Sequence, residues 1–250
     1  MKKILYLLGL TLIISLVIVS CEIDNYEGPN GQISGKFLDK VTGELVGTDL
    51  NSGNAIGVYE LGWPTESKQT WSIKNTGEYT NNLVFAATYR IEFTNCNFWP
   101  HIVPDFVVTK GANTHDFPVV PYIRVKNPAI TYDAGTKIVT ATFNLETDSA
   151  AKIKLDRIQL FAFTDMWVGN TINFGITTGG ARKVAPADVS ATIAATQYTL
   201  TMDVAAPANS TKFPVTRNYY FRIGALGKGG VGTMRFNYSP LVKITNIVRP

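Results

Sequence analysis

Residues 87–94 alternate without a break: Ala87, Tyr89, Ile91 and Phe93 are apolar, and Thr88, Arg90, Glu92 and Thr94 are polar. A period of two sorts side chains onto opposite faces of a pleated strand. On a helix of 3.6 residues per turn the same apolar residues would scatter around the cylinder. The pattern returns along the chain. Ile33 and Phe37 oppose Ser34 and Lys36, and Trp71 and Ile73 oppose Thr70, Ser72 and Lys74. Val139, Ala141, Phe143 and Leu145 form a fourth row, Tyr198, Leu200, Met202 and Val204 a fifth, and Tyr219, Phe221, Ile223 and Ala225 a sixth, the last opposed by Tyr220, Arg222 and Gly224. Turn-forming stretches separate these rows at 39–43, 75–77, 133–135, 179–180, 207–210 and 227–232. No long helical periodicity competes, and the abundance of Thr, Val, Ile, Tyr and Phe favours strands. The expectation is an all-β chain of two β-sandwich domains in tandem, over 32–122 and 123–250. Pro121 and Pro128 suit a strand-like connector over 119–128, and residues 186–190 suit a short helical turn.

The first 31 residues stand apart. Lys2 and Lys3 precede an apolar run from Ile4 to Val19, which ends in Ser20-Cys21. A cationic start, an apolar middle and a small residue before a cut make a secretory signal. Its 16 apolar-run residues fall short of the roughly 20 that a spanning helix needs. With a cysteine directly after the small residue, the segment resembles a bacterial lipoprotein signal and lipobox. That likeness implies cleavage of a 1–20 signal peptide, lipid on the Cys21 thiol and attachment to a membrane. Residues 21–31 lack apolar periodicity, end in Gly28-Pro29-Asn30-Gly31 and read as a flexible tether. Glu22, Asp24 and Glu27 in it resemble the acidic surface-export signal of Bacteroides-like lipoproteins. Removing residues 1–20 lowers the formal charge from +4 to +2. A nearly neutral body carries no electrostatic argument for nucleic acid as a partner.

Two further likenesses concern the body. The run Ile33-Ser-Gly-Lys-Phe, then Asp39 to Leu45 around Thr42-Gly43, then Gly77-Glu78-Tyr79 and Ala87-Thr-Tyr-Arg-Ile resembles the carboxypeptidase-regulatory-like, transthyretin-like sandwich. Glu44-Leu45 replaces that family's proline step, and Ala87-Thr88 stands where glycine is common. Strand spacing in the second half suits an immunoglobulin- or fibronectin-III-like sandwich. The layout as a whole, with the late motifs Tyr219 to Ala225 and Arg235 to Ile244, resembles DUF3823-type surface lipoproteins of Bacteroidota. The resemblance implies an outer-membrane, cell-surface setting beside a starch-utilisation-like, β-barrel importer and its lipoprotein lid. It implies no chemistry.

Motifs for chemistry are sparse. Gly227-Lys-Gly-Gly-Val-Gly232 matches a dinucleotide fingerprint in letters, but no helix signal follows to supply the N–H groups that a pyrophosphate needs. The two histidines, His101 and His115, have no metal-ligand spacing, so neither metal nor cofactor is expected. No nucleophile elbow is present, and the 19 acidic residues offer no evident catalytic pair. Cys96 is the only thiol once Cys21 is committed, and it reads as a buried structural cysteine. Asp148-Ser149-Ala150 resembles an O-glycosylation acceptor of Bacteroides-like bacteria, with Ser149 the modified residue.

Aromatic residues remain as binding candidates. Trp63-Pro64, Trp99-Pro100 and Trp167 occupy loop-like contexts, where an indole face can stack on a sugar ring or anchor a protein contact. Packing in a core or between domains is the alternative for each, and Trp71 reads as core. The expectation is a non-catalytic accessory that captures glycan or peptide nutrient, with Trp167 and its neighbours carrying the ligand. The alternative is a docking subunit of an outer-membrane transporter with no ligand of its own. Exposed tryptophans would favour the first, buried ones the second.

Overall fold

The structure is a computed structural model that describes residues 27–50, 53–147, 153–184 and 197–247. Cys21, Ser149 and the turn expected over 186–190 lie outside the described residues. The first sandwich places β1 (Gly31–Asp39) at the centre of one sheet. It runs antiparallel to β4 (Glu78–Val84) on one side and parallel to β7 (Gly111–Thr114) and β8 (Phe117–Val119) on the other. The facing sheet is antiparallel throughout, in the order β3 (Lys68–Ser72), β2 (Ala55–Glu60), β5 (Ala87–Phe93) and β6 (Ile102–Val108). The alternations choose the inward faces: Ile33, Phe37, Trp71, Tyr89, Ile91 and Phe93 are all buried. Phe37 is the hub, with the rings of Tyr79, Phe93, Phe98 and Phe117 at 5.3–5.7 Å. Full burial of each such ring contributes on the order of 2–3 kcal/mol.

In the second sandwich, β13 (Gln197–Asp203), β10 (Ile138–Glu146) and β9 (Arg124–Asp133) form one antiparallel sheet. The other orders β12 (Arg182–Val184), β11 (Lys154–Phe163) and β14 (Arg217–Lys228), with β15 (Asn237–Tyr238) and β16 (Val242–Ile247) along the far side of β14. Val139, Ala141, Phe143, Leu145, Leu200, Met202, Tyr219, Phe221, Ile223 and Ala225 fill the core as their spacing predicts. A single helical turn, α1 (Pro207–Ser210), follows β13.

Two expectations need correction. Residues 124–128 are the start of β9 rather than a connector. Its register shifts opposite Phe143, where Asn127 takes a positive φ of 49°, so Pro128 sits at a bulge that spares it from donating to the ladder. The second concerns β14, whose polar row was expected to face outward. Arg222 is only 4% exposed, because a second apolar layer of Phe161, Val168 and Phe236 covers the outer face of β11 and β14. Gly224 makes room for it: a Cβ there would lie 2.6 Å from Phe161 and 2.9 Å from Phe236.

Strand direction gives the first sandwich two distinct ends. β1 starts, β4 and β6 finish, and the β2–β3 loop turns at the end where the chain enters from residue 30. There Asn30 O accepts from Gly111 N–H and Asn30 Oδ1 accepts from Ala86 N–H, both at 2.9 Å. The opposite end carries the loops 40–54, 73–77 and 94–101, and these meet the second sandwich.

Candidate functional site

The seam between the sandwiches is polar and buried. Asn97 lies at its centre. Its Nδ2 donates to Gly47 O of the same sandwich at 2.8 Å and across to Phe236 O at 3.0 Å, and its Oδ1 accepts from Asn54 Nδ2 at 2.6 Å. Asn54 Oδ1 takes the Asn97 N–H in return at 2.8 Å. Asn237 completes the stitch: its Nδ2 donates to Asn97 O at 2.7 Å and its Oδ1 accepts from Ile123 N–H at 3.1 Å. Buried amides of this kind must find partners, because an orphaned one costs about 1–3 kcal/mol.

Arg222 reaches across the same seam from β14. Its guanidinium donates to Ser239 O at 3.0 Å, to Thr48 O at 2.9 Å and to Asn75 O at 2.9 Å, so two of its three acceptors belong to the first sandwich. The cation also lies 4.2 Å from the Tyr238 ring centroid. Burial pulls its pKa down to about 10, partly opposed by Tyr238 and Asp49, so it stays charged at neutral pH. Asp49 ties down the loop after β11: its Oδ2 accepts from the Thr171 N–H at 2.8 Å, from the Thr171 hydroxyl at 3.0 Å and from the Tyr238 hydroxyl at 3.3 Å. Burial, then the charge of Asp49, pushes the Tyr238 phenol up, so it remains a neutral donor.

A groove of about 340 Å³ opens along one side of this seam. The first sandwich lends it Asp39, Glu44, Leu45 and Asn75, and the second lends Arg124, Lys126, Tyr238 and Leu241. The turn at 75–77 shapes one wall: Gly77 has a φ of +97°, and a Cβ on it would lie 2.5 Å from Val46 O. Arg124, the first residue of β9, forks onto Asp39, the last residue of β1. Nε donates to Oδ2, Nη2 donates to Oδ1 at 2.9 Å, and Nη1 reaches Glu146 Oε1 at 3.4 Å. Burial raises the Asp39 pKa, but hydrogen bonds from Arg124 and Val41 N–H and the Arg124 charge outweigh it, so the carboxyl stays below its ordinary range. Asn75 donates to Met166 O at 2.8 Å, while its own Oδ1, buried in the wall, accepts no hydrogen bond.

The three tryptophans expected at a ligand surface are not brought together, and none lines the groove. Trp63 projects from the β2–β3 loop at the far end of the first sandwich, 63% exposed. Trp99 is half-buried, edge-on to Tyr122 at 4.9 Å and packed on the second core. Trp167 is half-buried in the loop that Asn75 and Asp49 hold against the first sandwich. Trp71 is core, as expected. The 227–232 glycine loop leads through a bend into β15, with no helix after it. Cys96 is buried, which pushes its thiol up to about 12 and leaves it inert. Among the described residues no group of His, Cys, Asp and Glu could hold a metal ion.

Sequence reasoning missed Asp39, Asn75, Asn97, Arg124, Arg222 and Asn237. One signal was available: Asn97 and Arg222 each sit between apolar neighbours on both sides, in Cys-Asn-Phe and Phe-Arg-Ile. Pairing them needed the fold, since the residues they bond lie 17 to 174 positions away.

Comparison with known proteins gives this arrangement a family. No curated protein matches the chain. Among solved structures, a candidate carbohydrate binding protein from Bacteroides uniformis is 48% identical, with 87% of this chain and 100% of that one covered and a TM-score of 0.80. DUF3823 family proteins from Bacteroides ovatus and Parabacteroides merdae are each 17% identical, over 87% and 88% of this chain and 99% and 100% of theirs, with TM-scores of 0.66 and 0.67. These two share the fold. Family models match on either side of the seam: "Protein of unknown function (DUF3823) N-terminal domain" over residues 31–120 and "Domain of unknown function (DUF3823_C)" over residues 123–243. The seam and groove are therefore built where two matched domains meet, and the chain belongs to the DUF3823 family.

Proposed function

We propose that this protein is a non-catalytic carbohydrate-binding accessory, lipid-anchored through Cys21 at the outer-membrane surface, which holds glycan for a neighbouring β-barrel importer. The observation that carries the reading is the groove between the sandwiches. Its Asp39–Arg124 fork, Glu44 and Lys126 offer acceptors and donors for sugar hydroxyls, beside the apolar surfaces of Leu45, Pro121 and Leu241. Recognition sites combine a mainly apolar lining with a few fixed polar groups. Because Asp39 and Arg124 hold each other, little side-chain freedom is lost on binding. The name of the relative at 48% identity supports a carbohydrate ligand. The same fork leaves Asp39 unsuited to act as a general acid, which needs a raised pKa, because its partner holds it low.

Binding of oligosaccharides to the purified protein, followed by calorimetry, tests this. Glu44→Ala and Lys126→Ala should each weaken a ligand about tenfold, the loss of roughly one hydrogen bond to a charged group. Wild-type affinity in both variants would rule out the groove. A second reading, a docking subunit without a small ligand, draws on Trp99, half-buried against Tyr122, and on Trp167, half-buried in the loop held at the seam. Co-purification with a β-barrel transporter but no glycan binding would favour it.

A further inference from the structure

Among the described residues, the end of the first sandwich remote from the seam carries exposed apolar side chains. Four large side chains rim it: Trp63 in the β2–β3 loop at 63% exposure, Leu83 late in β4 at 77%, Phe85 in the β4–β5 turn at 41% and Val107 late in β6 at 60%. Register holds them at one end. Leu61 N–H donates to Thr88 O, Thr88 pairs with Val107, and the Tyr89 hydroxyl donates to Phe85 O. The charged groups at this end are Glu27, Glu60, Lys68, Lys110 and Arg90, the last paired with Glu66 and Glu92, so no single sign dominates. Single exposed hydrophobics need no explanation, but an aromatic and aliphatic cluster at one end does.

This is also the end from which the chain leaves toward its N-terminus. Asn30 is hydrogen-bonded between the β4–β5 and β6–β7 turns. Eight residues lie between it and Cys21, a reach of nine steps along the chain. Even fully extended, that stretch spans no more than about 30 Å. A lipid on Cys21 would therefore tether this end within about 30 Å of the bilayer. Trp and Phe are the side chains that settle at a membrane–water boundary, with apolar bodies toward lipid and polar edges toward water.

We propose that Trp63, Leu83, Phe85 and Val107 form a membrane-contact rim that seats the first sandwich on the lipid surface and points the inter-sandwich groove away from it. The proposal rests on the anchor reading given above. It assigns Trp63 to lipid rather than to a sugar.

The test uses the full lipidated chain, reconstituted into phosphatidylethanolamine–phosphatidylglycerol vesicles carrying a lipid with a shallow spin-label quencher. Tryptophan emission is compared between wild type and Trp63→Phe, and flotation is compared between wild type and Cys21→Ser. The expected result is flotation that depends on Cys21, with quenching in the wild type that is largely lost in Trp63→Phe. Flotation with equal quenching in both proteins would overturn the rim and leave the anchor standing. No flotation of the wild type would overturn the anchor and the rim with it. Unquenched Trp63 together with a dimer in detergent that Trp63→Phe or Val107→Glu dissolves would assign the rim to a second copy, and would likewise overturn the proposal.

Discussion

The two ends of the first sandwich invert the usual relation between polarity and burial. The seam end is polar and buried, with Asn54, Asn97, Asp39 and Asp49 all under 6% exposed. The opposite end is apolar and open, with Leu83 and Trp63 its most exposed large side chains. Side-chain type alone does not tell which end a second domain covers. What distinguishes them is satisfaction. Apart from the Oδ1 atoms of Asn75 and Asp49, the buried side-chain groups named at the seam are met by partners, and several of those partners are backbone carbonyls on the other sandwich. Among the described residues the apolar rim stays open, and in the proposal above its complement is the lipid surface.

If the seam is held by hydrogen bonding, Arg222→Ala should be the most damaging single change. It strips the donors from Thr48 O, Asn75 O and Ser239 O at once and empties the volume over Tyr238. We expect a loss of about 3–5 kcal/mol by chemical denaturation, the cost of breaking a buried polar cluster from one side. A loss under about 1 kcal/mol would mean that the seam is wet and the comparison false. Asn97→Ala comes next. It abandons Gly47 O, Phe236 O and Asn54 Nδ2, but leaves backbone bonds nearby, and should cost about 2–3 kcal/mol. The wild type should unfold in one transition, and this variant in two if the sandwiches depend on the seam for their coupling.

The Asp39–Arg124 fork sharpens the comparison through pH. Asp39 ionises in the fold below its ordinary value near 4. Its stabilisation is therefore complete above that ordinary value and is lost as pH falls through the lower folded one, because the unfolded chain takes up the proton first. Asp39→Asn should cost about 1–2 kcal/mol at pH 7, moderated by the remaining contact of Arg124 with Glu146. It should also flatten the acid limb of a stability–pH curve. An unchanged acid limb would show that the fork is not the coupling.

Much of the fold was legible in the sequence because it depends on local alternation. The rows at 87–93 and 139–145 sort core from the more open face within a few residues, the row at 219–225 picks out core residues though its alternate positions are covered too, and the two-sandwich division follows from them. β6 to β8 were harder to see, because Pro104, Asp105 and Pro118 interrupt any period and two of these strands pair parallel to β1. The seam was nearly invisible. Its residues bond across long separations, and Arg222 in a strand reads as the outward half of an alternation until a second apolar layer is known to cover it. The tryptophans were found by type, but type does not separate an indole at an open rim from one against a neighbouring domain.

Trp63 is where the comparison can be broken most cheaply. At the seam, polar groups stabilise the fold, so removing one must lower stability. At the rim, an apolar group that is 63% exposed contributes almost nothing to folding, so Trp63→Ala should change stability by no more than about 0.5 kcal/mol, the range of ordinary surface substitutions. A Trp buried in a core costs roughly 3–5 kcal/mol to truncate, so the two cases are far apart on a denaturation curve. The near-zero effect carries meaning only with a second reading, the emission maximum of the vesicle-bound protein. A blue shift contributed by Trp63 on reconstitution, with no stability lost on its removal, identifies a side chain held in place by an outside partner rather than by the fold. A stability loss well above 0.5 kcal/mol would instead make Trp63 part of the sandwich, and the two ends would no longer differ in kind.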